Sequence, residues 1–438
     1  MIIVGAGPVG LLLAGELRLG GVEVAVYEKL SARSGESRAL GFNRRAAESL
    51  AQRGLLSRLA PFRWGPMGHF GGVRFDLGIL DEDHSGVLGL SQARTEEMLE
   101  GRLAELGVPV RRGHEVTGLR ETADGVTVSF AGPDGPGEAA AAYVVGCDGP
   151  HSAVRAAAGI TVTGRAATRG MYTAEISGVT LRPRPIGERL PGGNMVVCTP
   201  LGEGRYRVVV HDRTLPPDPD PGTLTFERVA DAWQRLTGES IHGARPLWLW
   251  ACGNAAGLAD RYRQGRVLLA GDAAHAMPPL AAWGLSAGLQ DAANLGWKLA
   301  LVLAGRAPDG LLETYHAERH PVGAALVRNA QAASMLYLGD DAMDPVREVL
   351  GELVAHKDAA GQLAGVVSGL GIRYPMGPGE HPLLGLRMPP DQEIRRTDGT
   401  TARVADLLHP ARGILLITGD DATATKTART ADAWSDHV

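Results

Sequence analysis

The feature that most constrains this chain is its opening. An apolar run from Ile2 to Val4 leads into Gly5-Ala-Gly-Pro-Val-Gly10, a helix-forming stretch Pro8 to Leu19, a stop at Gly20-Gly21, and an alternating Val22 to Tyr27 that ends at Glu28. Strand, glycine turn, helix and strand make a βαβ unit. Gly5 permits the tight turn, Gly7 lets the backbone approach a pyrophosphate, and Gly10 lets helix and strand pack closely. Phosphate charge then meets the helix start at Pro8 and Val9 with its free N–H groups. Glu28, followed by Lys29, falls where a ribose hydroxyl pair would be bound. The pattern specifies a dinucleotide without separating FAD from NAD.

Helical spacing recurs around Ala46 to Leu59 and Arg94 to Leu106, and Val108 to Arg112 reads as a strand, so the α/β character continues. Val116 to Leu119, Val126 to Phe130 and Ala142 to Cys147 are β-like runs between turn-formers, which predicts an antiparallel appendage. From Gly170 to about Trp250, β-like stretches alternate with Pro-rich connections, as in a second, mainly antiparallel domain. Parallel-sheet signals resume at Val267 to Ala270, with long helices at about Leu289 to Leu303 and Leu311 to Ala333, so the first domain is discontinuous in sequence. Beyond Tyr374, Pro-Gly-rich text leads to one more expected strand, Gly413 to Ile417, and a short helical tail.

A length of 438 residues gives room for about three domains. The net charge of −5 supplies no single-sign field for nucleic acid or an anionic membrane, and no apolar run approaches the ~18 residues of a membrane span. A small-molecule partner is the expectation. Three widely spaced cysteines suggest neither a disulfide framework nor a Cys-based zinc site, and the first residues read directly as strand and turn, so a reducing, cytoplasmic setting is expected.

Two further motifs bear on the cofactor. Gly271-Asp272 follows the strand Arg266 to Ala270 and precedes Pro278-Pro279 and a helix entering near Leu285. An acid there could bind the polyhydroxy chain of a flavin, with the helix aiming its positive end at the flavin ring; the other reading is an Asp that caps the helix. Cys147-Asp148-Gly149-Pro150-His151-Ser152-Ala153-Val154-Arg155 is again strand, Asp-Gly turn and helix start, where Ser152 could be an N-cap.

With these three motifs in this order, the sequence resembles the FAD-dependent aromatic hydroxylases of the para-hydroxybenzoate hydroxylase fold, and most nearly the monooxygenases of angucycline and other aromatic polyketide pathways. The similarity covers nearly the whole chain, including Gly35-Glu-Ser-Arg-Ala-Leu-Gly-Phe42, Gly68-His-Phe-Gly-Gly72, Leu190-Pro-Gly-Gly193, Asn294-Leu-Gly-Trp-Lys-Leu299 and Glu318-Arg-His-Pro321. The resemblance implies an α/β fold: a Rossmann-like FAD-binding domain (1–75, 92–170 and 256–375 with the long helices), a mainly antiparallel β substrate domain (76–91 and 171–255), and a truncated thioredoxin-like C-terminal unit (376–438). It also implies FAD, NADPH or NADH as a transient reductant, molecular oxygen, and transfer of oxygen from a flavin hydroperoxide to a polycyclic aromatic substrate, with a homodimer as the candidate assembly. Carried over, Glu28 matches the ribose ligand, Arg38 and Gln92 lie beside the FAD, Asp148 belongs to the second motif, and Asp272 matches the ribityl ligand. Pro279, Gly284 and Leu285 flank the flavin. Arg45, His69, Phe70 and Trp283 fall at substrate-pocket positions, although Arg45 could belong to a solvated helix face.

One departure stands out. After Pro279 the family has Gly-Gly-Gln-Gly followed by an apolar residue and Asn, where this chain has Ala281-Ala282-Trp283-Gly284-Leu285-Ser286. Trp283 could stack on the flavin or substrate, or simply fill a core. The altered loop keeps two alternatives open: a Baeyer–Villiger or other oxidative rearrangement, and a flavin-fold binding protein without redox turnover.

Overall fold

The computed structural model describes residues 1–80, 86–280, 282–388, 393–395 and 399–416. The opening βαβ unit forms as its pattern requires: Ile2–Val4 pairs in parallel with Ala25–Glu28 on one side and Val144–Gly146 on the other. Val110–Arg112 and Val267–Leu269 extend this sheet in parallel, and Arg263–Gln264 closes it antiparallel, giving six strands. Every residue of Ile2–Val4, Val144–Gly146 and Val267–Leu269 is buried, as expected of strands covered by helices on both faces. Helix Pro8–Leu19 packs between helices Gln92–Glu105 and Trp283–Leu303. Gly20 and Gly296 allow the contact with Trp283–Leu303, since a Cβ at either would lie 2.4 Å from Ala300 or Glu16.

Glu115–Glu121, Val126–Gly132 and Gly135–Ala141 form the expected antiparallel appendage, with a different third strand. Ala142 to Cys147 does not belong to it, because Val144–Gly146 joins the parallel sheet; the hairpin pairing Gly132 with Gly135 instead recruits Gly135–Ala141. That segment has no β-branched residue and pairs through its turn, so propensity did not reveal it.

The second large sheet is antiparallel, in the order Arg184–Leu190, Asn194–Gly202, Arg205–His211, Gly170–Ser177, Arg245–Gly253. Its residues alternate in purpose. Tyr172, Ala174, Ile176, Val196, Val208 and Val210 bury against helix Phe226–Thr237 around Trp233. Met171, Met195, Val197, Val209 and Cys252 form the opposite face, with Tyr337, Leu338 and Leu280 packed on it. A hairpin, Met67–Phe70 with Val73–Asp76, adds Phe70, Phe75 and Leu77 to a third core with Trp283, Leu326 and Val367.

Helix Glu313–Tyr337 carries Pro321 inside it, and no helix among the described residues is long and apolar enough to cross a membrane. Towards the C-terminus, Glu393–Arg395 pairs with Thr401–Arg403. The strand expected at Gly413 to Ile417 is not formed over residues 413–416, where Leu415 and Leu416 are exposed and pair with no strand among the described residues; Ile417 and the expected helical tail lie outside the described residues.

Candidate functional site

The glycine turn is built as the motif predicts. Gly5 has φ +105°, and a Cβ there would sit 2.4 Å from the Cys147 carbonyl oxygen. A Cβ on Gly10 would lie 2.1 Å from the Gly5 carbonyl oxygen, whereas one on Gly7 would meet nothing within 4 Å. Gly7 thus faces open space at the start of a helix that begins with Pro8 and has no side-chain cap, leaving its first N–H groups for an anion. The Glu28 carboxylate accepts the Ala6 N–H at 2.8 Å and the Leu30 N–H at 2.9 Å, which fixes it under the turn. Lys29 is exposed. Val9 turns to the third motif: Cβ atoms added to Gly271 and Gly288 would come within 3.1 and 2.5 Å of its side chain.

Asp148 is committed locally. It accepts the Ser152 hydroxyl at 2.5 Å and the Val154 N–H at 3.1 Å, while Ser152 caps the helix through the Arg155 N–H at 2.9 Å. The Arg155 guanidinium donates to the Pro150 carbonyl at 2.7 Å and the Ala273 carbonyl at 2.9 Å, joining the second motif to the third.

Asp272 behaves differently. Its carboxylate makes no hydrogen bond among the described residues and is open to solvent. Protein nevertheless surrounds it closely enough that burial pushes its carboxyl above the usual range, with His275 and Arg38 opposing and Asp291 adding to the rise. Both properties hold for a carboxylate lining a cleft. A Cβ on Gly284 would lie 3.6 Å from Asp272 Oδ1, and helix Trp283–Leu303 has no side-chain cap, so Asp272 does not cap it. Beneath the turn lies a charge network: Asp291, fully buried, accepts the Gly271 N–H at 3.1 Å, contacts His275 Nε2 at 2.6 Å and accepts Arg319 Nε–H at 2.7 Å. Arg319 also donates to the Ala287 carbonyl and the Tyr374 hydroxyl, both at 3.1 Å. Arg319 was legible only as part of the Glu318-to-Pro321 match, and Asp291 and His275 carried no role at all in the sequence.

Around this cleft, the Gln92 amide oxygen accepts the Ala39 N–H at 3.3 Å, and Arg38 lies over Trp250, 5.4 Å from the ring centroid. Arg207, almost fully buried, donates to the Arg38 carbonyl and pairs with Glu175. Pro279 is exposed and Leu285 packs against the main core.

Of the residues read as pocket positions, Phe70 and Trp283 come together, while His69 pairs with Tyr337 instead. Phe70 and Trp283 have ring centroids 6.0 Å apart, and His69 lies 5.6 Å from Tyr337. Burial, then Arg74, lowers the His69 pKa to about 4; the ring is neutral near pH 7, and its Nδ1 accepts the Gly72 N–H at 3.3 Å. Trp283 is only 3% exposed and belongs to the third core, which is the packing alternative of the sequence reading. Arg45 is drawn aside: it and Arg44 both pair with Glu48 at 3.3 Å, and Arg45 backs onto Gly369. The apolar wall of Met171, Met195, Val197, Val209 and Cys252 was missed, although the alternation in 171–176 signals two distinct faces.

The altered loop is compensated. Ala282 keeps the left-handed backbone that glycine would favour, at φ +53° and ψ +21°. Ser286 Oγ donates to the Ala282 carbonyl at 2.7 Å and accepts the buried Asn43 N–H at 2.9 Å.

An open glycine cradle, two uncapped helix starts and an unpartnered carboxylate along one sheet edge fit a flavin dinucleotide, and together define a flavin-dependent oxidoreductase. The family described as FAD binding domain matches residues 1–330. The chain belongs to that family and is an FAD-dependent aromatic monooxygenase. It is 42% identical over 460 residues to the 12-dehydrotetracycline 5-monooxygenase/anhydrotetracycline 6-monooxygenase of Streptomyces rimosus subsp. rimosus, covering all of this chain and 88% of that protein. The crystal structure of CabE, an aromatic hydroxylase from angucycline biosynthesis, superposes with a TM-score of 0.94 at 49% identity, over all of this chain and 88% of CabE. Dialkyldecalin synthase of Streptomyces rugosporus is 35% identical over 427 residues, 96% of this chain and 87% of that protein.

Proposed function

We propose that the protein hydroxylates a polycyclic aromatic polyketide, using FAD, molecular oxygen, and NADPH or NADH as a transient reductant. The observation that carries this reading is the meeting of three distant segments, 5–10, 148–155 and 271–280, at the ends of parallel strands, with Asp272 making no hydrogen bond among the described residues. Reduced FAD supplies the oxygen-activating chemistry. The protein binds and orients: Glu28 and Gly7 hold the adenosine and pyrophosphate end, Asp272 takes the ribityl hydroxyls, and the start of helix Trp283–Leu303 favours negative charge on the ring. Val197, Val209 and Cys252, the partly exposed residues of the face whose core is Met171 and Met195, together with His69 and Phe70, would exclude water and offer apolar surface to flat rings.

The test is reconstitution with excess FAD, desalting, and NADPH oxidation with candidate polyketides under labelled oxygen. Retained flavin and one labelled oxygen in the product are expected; colourless protein, or turnover that leaves the substrate unchanged, would count against the reading. The Ala282-Trp283 loop and the synthase relative favour a second reading, in which the flavin-bound scaffold rearranges its substrate without hydroxylation. Product mass separates the two.

A further inference from the structure

Away from the flavin cleft, an open cavity of about 510 Å³ lies between the hairpin Met67–Phe70/Val73–Asp76, the edge strand Arg184–Leu190 and the end of helix Glu313–Tyr337. Four arginines line it, Arg74, Arg182, Arg184 and Arg189, against one acid, Glu188. The pairing of the edge strand with Asn194–Gly202 breaks between Arg184 and Glu188, and this bulge turns two carbonyls aside. The Ile186 carbonyl accepts the Tyr337 hydroxyl and the Gly187 carbonyl accepts Arg74 at 3.4 Å. Gly187, at φ +93°, is required there, since a Cβ would fall 2.0 Å from the Tyr337 hydroxyl oxygen.

The four cations are not equivalent. Arg184 is buried and held by Glu239 at 2.7 Å and Glu188 at 2.9 Å, and Arg189 is held by Asp344 at 2.7 Å. These two build the wall. Arg182 shares Glu188 in an exposed pair, and Arg74, also exposed, has no carboxylate partner among the described residues. Two exposed guanidiniums with surplus positive charge suit phosphate oxygens, which they can bind in a bidentate fork. Tyr337 forms one wall of the cavity and also packs with Met171, Met195 and Leu280, the last beside the Pro278-Pro279 loop that leads to Asp272.

We propose that this cavity binds the phosphate groups of the nicotinamide dinucleotide reductant. The inference rests on the proposed function, which requires such a reductant, and the chain offers no second glycine fingerprint for one. An open, charge-based site suits a partner that must arrive and leave at each turnover.

The test is titration of the FAD-loaded protein with NADPH, NADH and ADP-ribose, which carries the diphosphate without nicotinamide, and separately with a hydroxynaphthoate as an acidic aromatic. Arg74→Gln and Arg182→Gln should each weaken dinucleotide and ADP-ribose binding by about tenfold, the loss of one charge-assisted hydrogen bond, while flavin content and melting temperature stay unchanged. Arg74→Lys should recover part of the loss. Equal affinities in wild type and variants overturn the proposal, as does a loss confined to the hydroxynaphthoate, which would assign the cavity to the aromatic substrate. Wild-type protein that neither binds nor oxidises either nucleotide removes the reductant reading itself; wild-type protein that oxidises it, with variants binding equally, removes only this cavity.

Discussion

Arg155 reaches across from the second motif to donate its guanidinium to the backbone carbonyl of Ala273, 2.9 Å away in the turn that carries Asp272. With its bond to the Pro150 carbonyl, one side chain holds two turns that are far apart in sequence at a fixed spacing. A cofactor gripped by both depends on that spacing. Arg155→Ala should therefore raise the Kd for FAD by about tenfold, for bonds from a charged donor worth about 1.5–3 kcal/mol. Arg155→Lys, which lacks the fork, should recover little. Flavin fluorescence titration gives the answer, and unchanged affinity in Arg155→Ala would show the strut to be idle.

The same residue shows why some of the site was legible in sequence and some was not. Gly5, Gly7, Gly10 and Glu28 act within one local unit, so spacing alone reveals them. Arg155 sits in a recognisable segment, yet its role depends on Ala273, 118 residues away, which no local pattern encodes. Asp291 and His275 were invisible for the same reason: each is an ordinary residue until the fold brings it to the other. The broad alternation of parallel and antiparallel regions was readable because period-2 and period-3.6 patterns are local. Gly135–Ala141 was not, because its pairing comes from a turn and its composition opposes it.

The buried network predicts both a large mutational cost and a pH signature. Removing the Asp291 charge leaves Arg319 and His275 buried without their counter-ion, so Asp291→Asn should cost about 3–5 kcal/mol in thermal unfolding. Burial alone would lower the His275 pKa, but Asp291, with help from Asp272, raises it above its ordinary 6.5 against the repulsion of Arg319. For Asp291, burial alone would raise the pKa, but His275 and Arg319 hold it below 3.8. The His275 contribution is complete below pH 6.5 and is lost as pH climbs through the raised value; the Asp291 contribution is complete above pH 3.8 and is lost as pH falls through the lowered value. Melting curves should therefore show stability falling as pH rises from 6.5 through the raised His275 value, and His275→Gln should flatten that limb. A wild-type limb that matches the variant would show His275 to be neutral throughout.

The substituted loop makes its own prediction. Ala282 holds a left-handed conformation that costs a non-glycine residue about 1–2 kcal/mol, and Ser286 restrains it through the Ala282 carbonyl. Ala282→Gly should stabilise the protein by up to about 1 kcal/mol after glycine's entropic cost is subtracted, and so raise the melting point. Ser286→Ala should act oppositely, since it strands the buried Asn43 N–H at about 1–3 kcal/mol. Differential scanning calorimetry of both variants checks the pair, and a destabilised Ala282→Gly would contradict the strain argument.

Trp283 provides the sharpest division between packing and chemistry. Its indole is 3% exposed among Phe75, Leu77, Ala287 and Leu326, and its Nε1–H finds no acceptor among the described residues. An aromatic ring of smaller size that carries no donor should replace it at little loss, because the cavity created is partly offset by removing an unsatisfied polar group. Trp283→Phe is thus expected to stay within about 1 kcal/mol of wild type, whereas Trp283→Ala should cost about 3–5 kcal/mol. Trp283→Gln, which restores the family amide, would bury a polar group in that same core and should destabilise before it alters chemistry. Urea unfolding of the three variants, read beside flavin content, decides the matter: a stable Trp283→Ala protein with impaired turnover would place the indole in the reaction instead of the core.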